Sequence, residues 1–167
     1  MGKENYHKVF VYGTLMKGYD GFNKFMSNAE FVANGDIQGS LYLSNSGYPV
    51  AILDNSENKI SGEIYKISEK TLNEIRRYEG TETALTYFTE KIIKVKTENG
   101  YLYAHAFVAH KFFIPIIKLM CKNISSVGWE EYNKSRPFFI KYKRKIIFTV
   151  LLLINLFMIL EFIINKH

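Results

Sequence analysis

Short runs of β-branched and aromatic residues, separated by turn residues, recur along the first two thirds of the chain. Runs of this kind predict strands rather than helices. The predicted strands are 8–12, 31–32 leading to Gly35-Asp36, 40–43, 50–53, 59–67, 88–97 and 101–108. Glu98-Asn99-Gly100 separates the last two and predicts a β-hairpin. Gly62 interrupts the run 59–67 and predicts a bulge there.

Helical spacing is found in two short segments. Ser68 is a good N-cap, and Leu72, Ile75 and Tyr78 then fall on one face of a helix that reaches Gly80. A last short helix is predicted over 127–134. Because the strands are short and outnumber the helices, the pattern favours an α+β domain built round a closed or half-closed sheet.

The segment 146–164 has a different pattern, since its apolar residues cover every face of a helix. A helix of this length spans about 28 Å, close to the hydrocarbon thickness of a bilayer. Basic residues cluster just before it, in 141–145, and such clusters stay on the cytoplasmic side. We therefore expect a single-pass C-terminal membrane anchor with the N-terminal domain in the cytoplasm. The alternative is a buried helix of the soluble domain.

The net charge of +6 belongs entirely to this tail. Residues 134–167 carry seven Lys and Arg against one acidic residue, Glu161, so residues 1–133 are balanced. The domain is therefore not expected to bind nucleic acid. Cys121 is the single cysteine, which excludes an internal disulfide framework and a Cys-based zinc cluster. His105 and His110 lie five positions apart, on opposite faces of a strand, and do not predict a metal site.

A glycine-containing turn, Gly13 to Gly18, directly follows the first predicted strand. It is not a phosphate loop, because Tyr19-Asp20 stands where Lys-Ser/Thr would be needed. Successive backbone N–H groups in such a turn can bind a small anion such as a carboxylate. An ordinary tight turn is the alternative interpretation.

Glu79 ends the predicted helix immediately before Gly80. A carboxylate there faces the negative end of the helix dipole, which tends to raise its pKa toward values useful for proton transfer. The alternative is a solvated glutamate beside Arg76 and Arg77.

Seven short motifs follow one another along the chain in the order found in a known family. They are Val9-Phe10-Val11-Tyr12-Gly13-Thr14-Leu15, Gly39-Ser40-Leu41-Tyr42, Gly47-Tyr48-Pro49, Ser61-Gly62-Glu63-Ile64-Tyr65, Tyr78-Glu79-Gly80, Tyr87 and Gly128-Trp129-Glu130-Glu131-Tyr132. Over residues 8–135 the chain resembles the γ-glutamylcyclotransferase-like family, in particular its γ-glutamylamine cyclotransferase and plant AIG2-like branch.

The resemblance implies a small mixed β-barrel with flanking helices, no metal and no organic cofactor. It implies that Tyr12, Gly13, Thr14 and Leu15 hold the glutamyl end of a small-molecule γ-glutamyl substrate, with Glu79 as acid/base. In such enzymes the α-amino group attacks its own γ-carbonyl, which gives 5-oxoproline and releases an amine. Tyr42, Tyr48 and Tyr87 are candidate walls of the pocket or hydrogen-bond donors to the substrate. The predicted domains are then 1–137, a basic juxtamembrane segment 138–145, and a transmembrane helix 146–164.

The chain departs from the family pattern at two positions. Arg76 replaces a frequent acidic residue three places before Glu79, and Thr89 replaces a frequent arginine. Arg76 would lower the pKa of Glu79 if it faced that residue, and would matter little if it pointed outward. Two hypotheses follow: a membrane-tethered cyclotransferase, or a catalytically silent, membrane-tethered binding or scaffold domain of the same fold. The released amine and the oligomeric state stay open.

Overall fold

A computed structural model of the chain describes residues 5–81 and 87–137. It divides into two units, residues 1–130 and 131–167. Across the described ranges, no helix has the length and apolar character needed to cross a bilayer. The predicted segments 138–145 and 146–164 lie outside the described residues.

Eight strands and four α-helices make up the described part of the chain. The strands are β1 Tyr6–Val11, β2 Glu30–Gln38, β3 Ser40–Leu43, β4 Pro49–Ile52, β5 Lys59–Ser68, β6 Phe88–Thr97, β7 Gly100–Ala109 and β8 Lys122–Asn123. The helices are α1 Asp20–Phe25, α2 Glu69–Glu79, α3 Ile114–Met120 and α4 Trp129–Ser135, with a 3-10 turn at Lys111–Phe113.

Five strands close into a barrel in the order β1-β5-β2-β6-β7. Strands β1 and β7 pair in parallel, with Val9 opposite His105, and the other pairs are antiparallel. A second sheet has the order β4-β3-β8. The expected α+β fold, with a small mixed barrel and flanking helices, is thus confirmed for the described residues.

The register of β5 corrects the interpretation of Gly62. Gly62 pairs with Gly35 in a continuous ladder, and the irregularity in this pair of strands lies in β2 between Phe31 and Ala33. Glycine is required for a different reason, because a Cβ at position 62 would lie 2.3 Å from the carbonyl oxygen of Val11. The predicted bulge is therefore wrong, and the glycine marks a close approach of β5 to β1.

Helix α2 follows its predicted start closely. The Ser68 side chain accepts a hydrogen bond from the Thr71 N–H at 3.2 Å, so it caps the helix. Leu72 and Ile75 are fully buried, as the helical spacing predicts. Tyr78 was expected on the same face but is 47% exposed, and its ring lies 4.7 Å from that of Phe25.

The sequence pattern does not predict three parts of the structure: α1, the Lys111–Met120 region and β8. Helix α1 has six residues and no side-chain cap, and β8 has two residues, so neither shows a period. Helix α3 carries exposed apolar residues, among them Leu119 at 84% exposure, so its sequence does not show one apolar and one polar face. The last helix starts at Trp129 rather than 127, because Gly128 has a φ of +76° that ends regular structure there.

Candidate functional site

The turn after β1 is anchored by the hydroxyl group of Tyr12. This buried hydroxyl donates to the Phe107 carbonyl of β7 at 2.5 Å and accepts from the Ala51 N–H of β4 at 3.2 Å. Both bonding directions of the hydroxyl are used, so Tyr12 fastens the turn to the barrel and to the second sheet. Its role here is to fix the position of residues 13–15.

Close packing shapes the turn itself. A Cβ at Gly13 would lie 2.4 Å from Cγ of Pro49, so only glycine allows this approach. The Met16 N–H donates to the Gly13 carbonyl at 2.9 Å and closes the turn. The N–H groups of Thr14 and Leu15 have no acceptor among residues 5–81 and 87–137. The side chain of Leu15 is buried, so this residue can contribute to a binding site only through its backbone.

Glu63 supports the far end of this turn, a role that the sequence did not reveal. Its Oε2 accepts from the Lys17 N–H at 2.9 Å and from the Tyr65 hydroxyl at 3.0 Å. The signal was the Ser61–Tyr65 motif, in which an acidic residue alternates with apolar strand residues. Glu63 stands two positions before Tyr65 in the strand, so both side chains lie on the same face, and this spacing could have predicted that the carboxylate binds the tyrosine hydroxyl.

Glu79 lies at the C-terminal end of α2 and is partly exposed as a residue, while its carboxyl group is buried. Burial raises the pKa of Glu79 to about 7. The expected direction is therefore present, and burial is its cause. Burial also raises the pKa of Tyr12, and the negative charge of Glu79 adds to that increase, which places the carboxylate near the anchored turn.

Arg76 does not contribute to the pKa of Glu79. Its guanidinium group instead holds the carboxylate of Glu90 with two hydrogen bonds, at 2.7 and 2.9 Å. Of the two alternatives left by the sequence, the side chain that turns away from Glu79 is the one observed. Thr89, the other departure, lies in β6 opposite Val108.

Tyr48 and Tyr87 belong to one aromatic cluster. Their rings lie 6.0 and 5.7 Å from the ring of Phe88, which packs with Tyr42 in the core beneath them. The Tyr87 hydroxyl lies 3.8 Å from Sγ of Cys121. Burial is the main cause of a raised pKa at Tyr87, and Cys121 and Tyr48 add to it. Cys121 is partly exposed.

The candidate residues thus fall into two groups. Glu79 and the turn Tyr12–Leu15 form the first group, and Tyr48 and Tyr87 form the second. Pro49 connects them, since it follows Tyr48 in the chain and contacts Gly13. No set of three or more His, Cys, Asp or Glu side chains is arranged to hold a metal ion within the described ranges.

Known proteins are similar to this chain in sequence and in fold. The sequence model of the family described as "Gamma-glutamyl cyclotransferase, AIG2-like" matches residues 9–131. A protein of Methanocaldococcus jannaschii named as a candidate gamma-glutamylcyclotransferase is 28% identical over 92 residues, 55% of this chain and 74% of that protein.

Two further relatives extend the comparison. The gamma-L-glutamyl-butirosin B gamma-glutamyl cyclotransferase of Niallia circulans is 39% identical over 72 residues, which are 42% of this chain and 44% of that protein. The crystal structure of a mouse AIG2-like protein superposes with a TM-score of 0.60 at 16% identity, covering 70% of this chain and 84% of that one. At this identity the structural likeness shows a shared fold.

Proposed function

Since the chain belongs to the gamma-glutamyl cyclotransferase, AIG2-like family, we propose that it cyclises a γ-glutamyl amine or peptide to 5-oxoproline and releases the amine. Glu79 is the general acid/base of this reaction. The turn Tyr12–Leu15 holds the glutamyl end, and Tyr48 and Tyr87 line the substrate pocket. The chain is thus a cyclotransferase-like enzyme whose substrate is a small molecule.

One observation carries the proposal: the carboxyl group of Glu79 is buried beside the Tyr12 turn, with a pKa of about 7. A group with this pKa is about half protonated near neutral pH, so it can both accept and return a proton. A solvated glutamate, with a pKa of about 4.3, would be almost fully ionised and a poor acid. Burial therefore supplies the property that the reaction requires.

The reaction needs no second substrate and no change of oxidation state. The α-amino nitrogen of the γ-glutamyl unit bonds to the γ-carbonyl carbon, and the bond from that carbon to the leaving nitrogen breaks. Ionised Glu79 accepts the proton that the attacking amine loses and then donates it to the leaving amine. Because nucleophile and electrophile belong to one molecule, the remaining task of the protein is to hold the substrate in a ring-closing conformation.

The turn after β1 suits this holding task. The N–H groups of Thr14 and Leu15, which lack an acceptor among the described residues, can donate to the substrate α-carboxylate or to the developing oxyanion. Tyr12 and Glu63 fix the two ends of the turn, so these donors are positioned before the substrate arrives. Such preorganisation is the main source of electrostatic stabilisation in enzymes.

The direct test is to incubate the full chain with a panel of γ-glutamyl amines, amino acids and peptides and to measure 5-oxoproline. Glu79→Gln keeps the shape of the side chain but cannot carry the proton, and we expect a loss of about 100- to 10,000-fold in kcat. Glu74→Gln removes the same charge from the same helix and should retain activity. Equal activity of Glu79→Gln and the parent contradicts the assigned role. A panel without any reactive compound favours the silent scaffold domain.

We also propose that the segment 146–164 anchors the domain to a membrane, with residues 1–137 in the cytoplasm. The support is the sequence alone, namely a long apolar segment preceded by the basic cluster 141–145. Membrane fractionation of cells that express the chain, with and without residues 141–167, tests this proposal. The full chain should sediment with membranes and the shortened chain should not, and a full chain in the soluble fraction contradicts the proposal.

A further inference from the structure

An ion-pair network joins helix α2 to the barrel. Its five members are His7 of β1, Glu69 and Arg76 of α2, Glu90 of β6 and His105 of β7. None of these side chains belongs to the candidate site. Two of them, Glu69 and Arg76, belong to the helix that carries Glu79, so the network bears on the position of that residue.

Arg76 is the centre of the network. Its Nε and Nη2 donate to the two carboxylate oxygens of Glu90, and its Nη1 donates to Glu69 at 3.1 Å and to Asn73 at 2.7 Å. A guanidinium group bound in this forked way is fixed in orientation as well as in distance. The end of α2 is therefore held at a defined place against β6.

The two carboxylates that receive Arg76 are themselves fixed. His105 contacts Oε1 of Glu90 at 2.6 Å, and His7 contacts Oε2 of Glu69 at 2.6 Å. The two imidazole rings lie 5.3 Å apart, edge to face. Arg76 thus binds two carboxylates that each have a second partner on the barrel, although the side chain of Glu69 is 47% exposed.

The backbone of Arg76 holds the same end of the helix. Its carbonyl accepts from the Thr81 N–H at 3.0 Å and from Oγ1 of Thr81 at 3.2 Å, and the N–H of Gly80 also points to it. Together with the bond from Gly80 to the Arg77 carbonyl, this is the hydrogen-bond pattern of a Schellman motif. Glu79 lies inside the loop of chain that these bonds close.

We propose that Arg76 is a positioning residue, which uses its side chain to fix the end of α2 on the barrel and its carbonyl to fix the turn that contains Glu79. This inference rests on the proposed function of Glu79. The departure from the family pattern at position 76 is then a substitution with a role of its own. A displacement of a catalytic group by about 1 Å can cost on the order of 100-fold in rate, so a loosened helix end has a measurable effect.

Kinetics of the full chain give the first test, with Arg76→Gln compared to Arg77→Gln. Arg77 is the exposed neighbour on the same helix, so its variant controls for the loss of one positive charge. We expect Arg76→Gln to lower kcat by about 10- to 100-fold with KM little changed, because ground-state binding at the Tyr12 turn is untouched. Arg76→Ala should regain activity when free guanidinium ion is added, since the ion can occupy the space between Glu69 and Glu90.

A readout without turnover gives the second test. In a chain labelled with ¹³C at the glutamate side-chain carboxyl, the Glu79 signal is identified by its absence from Glu79→Gln. Arg76→Gln should shift its titration midpoint from about 7 toward the ordinary value of about 4.3, because the carboxyl gains solvent. The charge of Glu79 also acts on Tyr12, whose pKa it raises further.

Each outcome bears on one claim. If Arg76→Gln and Arg77→Gln leave the Glu79 titration the same as in the parent, the positioning role is wrong, whatever the activity of the chain. If the titration shifts but no γ-glutamyl compound reacts, the positioning role stands and the proposed function fails. If Glu79→Gln abolishes turnover and Arg76→Gln does not lower kcat, position 76 does not act through Glu79.

Discussion

The two ends of helix α2 carry glutamates with opposite properties. At its start, the hydrogen bond from His7 lowers the pKa of Glu69, and Arg76 adds to that decrease. At its end, burial raises the pKa of Glu79 to about 7. The residue type and the helix are the same, so the difference comes from what surrounds each carboxyl group.

Glu90 shows how burial and pairing compete. Burial alone would raise the pKa of Glu90, but hydrogen bonds from Arg76 and His105 outweigh it and lower the pKa. Glu79 receives no such partner in the part of the chain that the structure describes, and burial decides its pKa. The paired carboxylates are suited to hold the structure together, whereas the unpaired one is suited to exchange protons.

The largest expected effect is the change that Glu79→Gln makes to the pH dependence of the free energy of unfolding. Because its folded pKa is raised to about 7, the contribution of Glu79 to the stability of the parent is greatest below about pH 4 and is lost as pH rises from about 4 toward 7. Glu79→Gln stays neutral and should not show this loss. The variant should therefore gain up to about 3 kcal/mol over the parent between pH 4 and pH 8. Thermal and denaturant unfolding of the full chain across this range measures the gain.

Glu69→Gln is the matched comparison at the other end of the helix. The pKa of Glu69 is lowered in the folded parent, so the contribution of this residue to stability is present above its unfolded pKa and disappears as pH falls. The two variants should change the pH slope of stability in opposite directions. Parallel slopes in both variants would contradict the different environments of the two glutamates.

The sequence predicts the barrel well because barrel strands leave a local pattern. Seven strands, the Ser68 cap and the buried pair Leu72 and Ile75 follow from alternation and helical spacing. The environment of Glu79 does not follow from local pattern, since its burial and its approach to Tyr12 are made by elements distant in the chain. The orientation of Arg76 also depends on Glu90, fourteen residues away, and on His105 beyond it.

The second prediction concerns the hydroxyl group that anchors the candidate turn. Tyr12→Phe leaves the Ala51 N–H without its acceptor and the Phe107 carbonyl without its donor, both in buried positions. We expect a loss of about 2 kcal/mol in the free energy of unfolding. Burial should still raise the pKa of Glu79, because the substitution keeps the aromatic ring and removes only the hydroxyl group. A variant as stable as the parent would show that water replaces the hydroxyl without cost.

The smallest expected effect is at the paired end of the comparison. Glu90→Gln keeps the shape of the side chain but removes the charge that Arg76 and His105 share, so the network loses its central anion. Water still reaches these side chains, which screens the pair, and the expected loss of stability at neutral pH is at most about 1 kcal/mol. The loss should fade as pH falls through the lowered pKa of Glu90, because the parent carboxylate is then protonated as well. A loss that persists unchanged at low pH would mean that Glu90 acts through packing, and the contrast with Glu79 would then be one of position and not of charge.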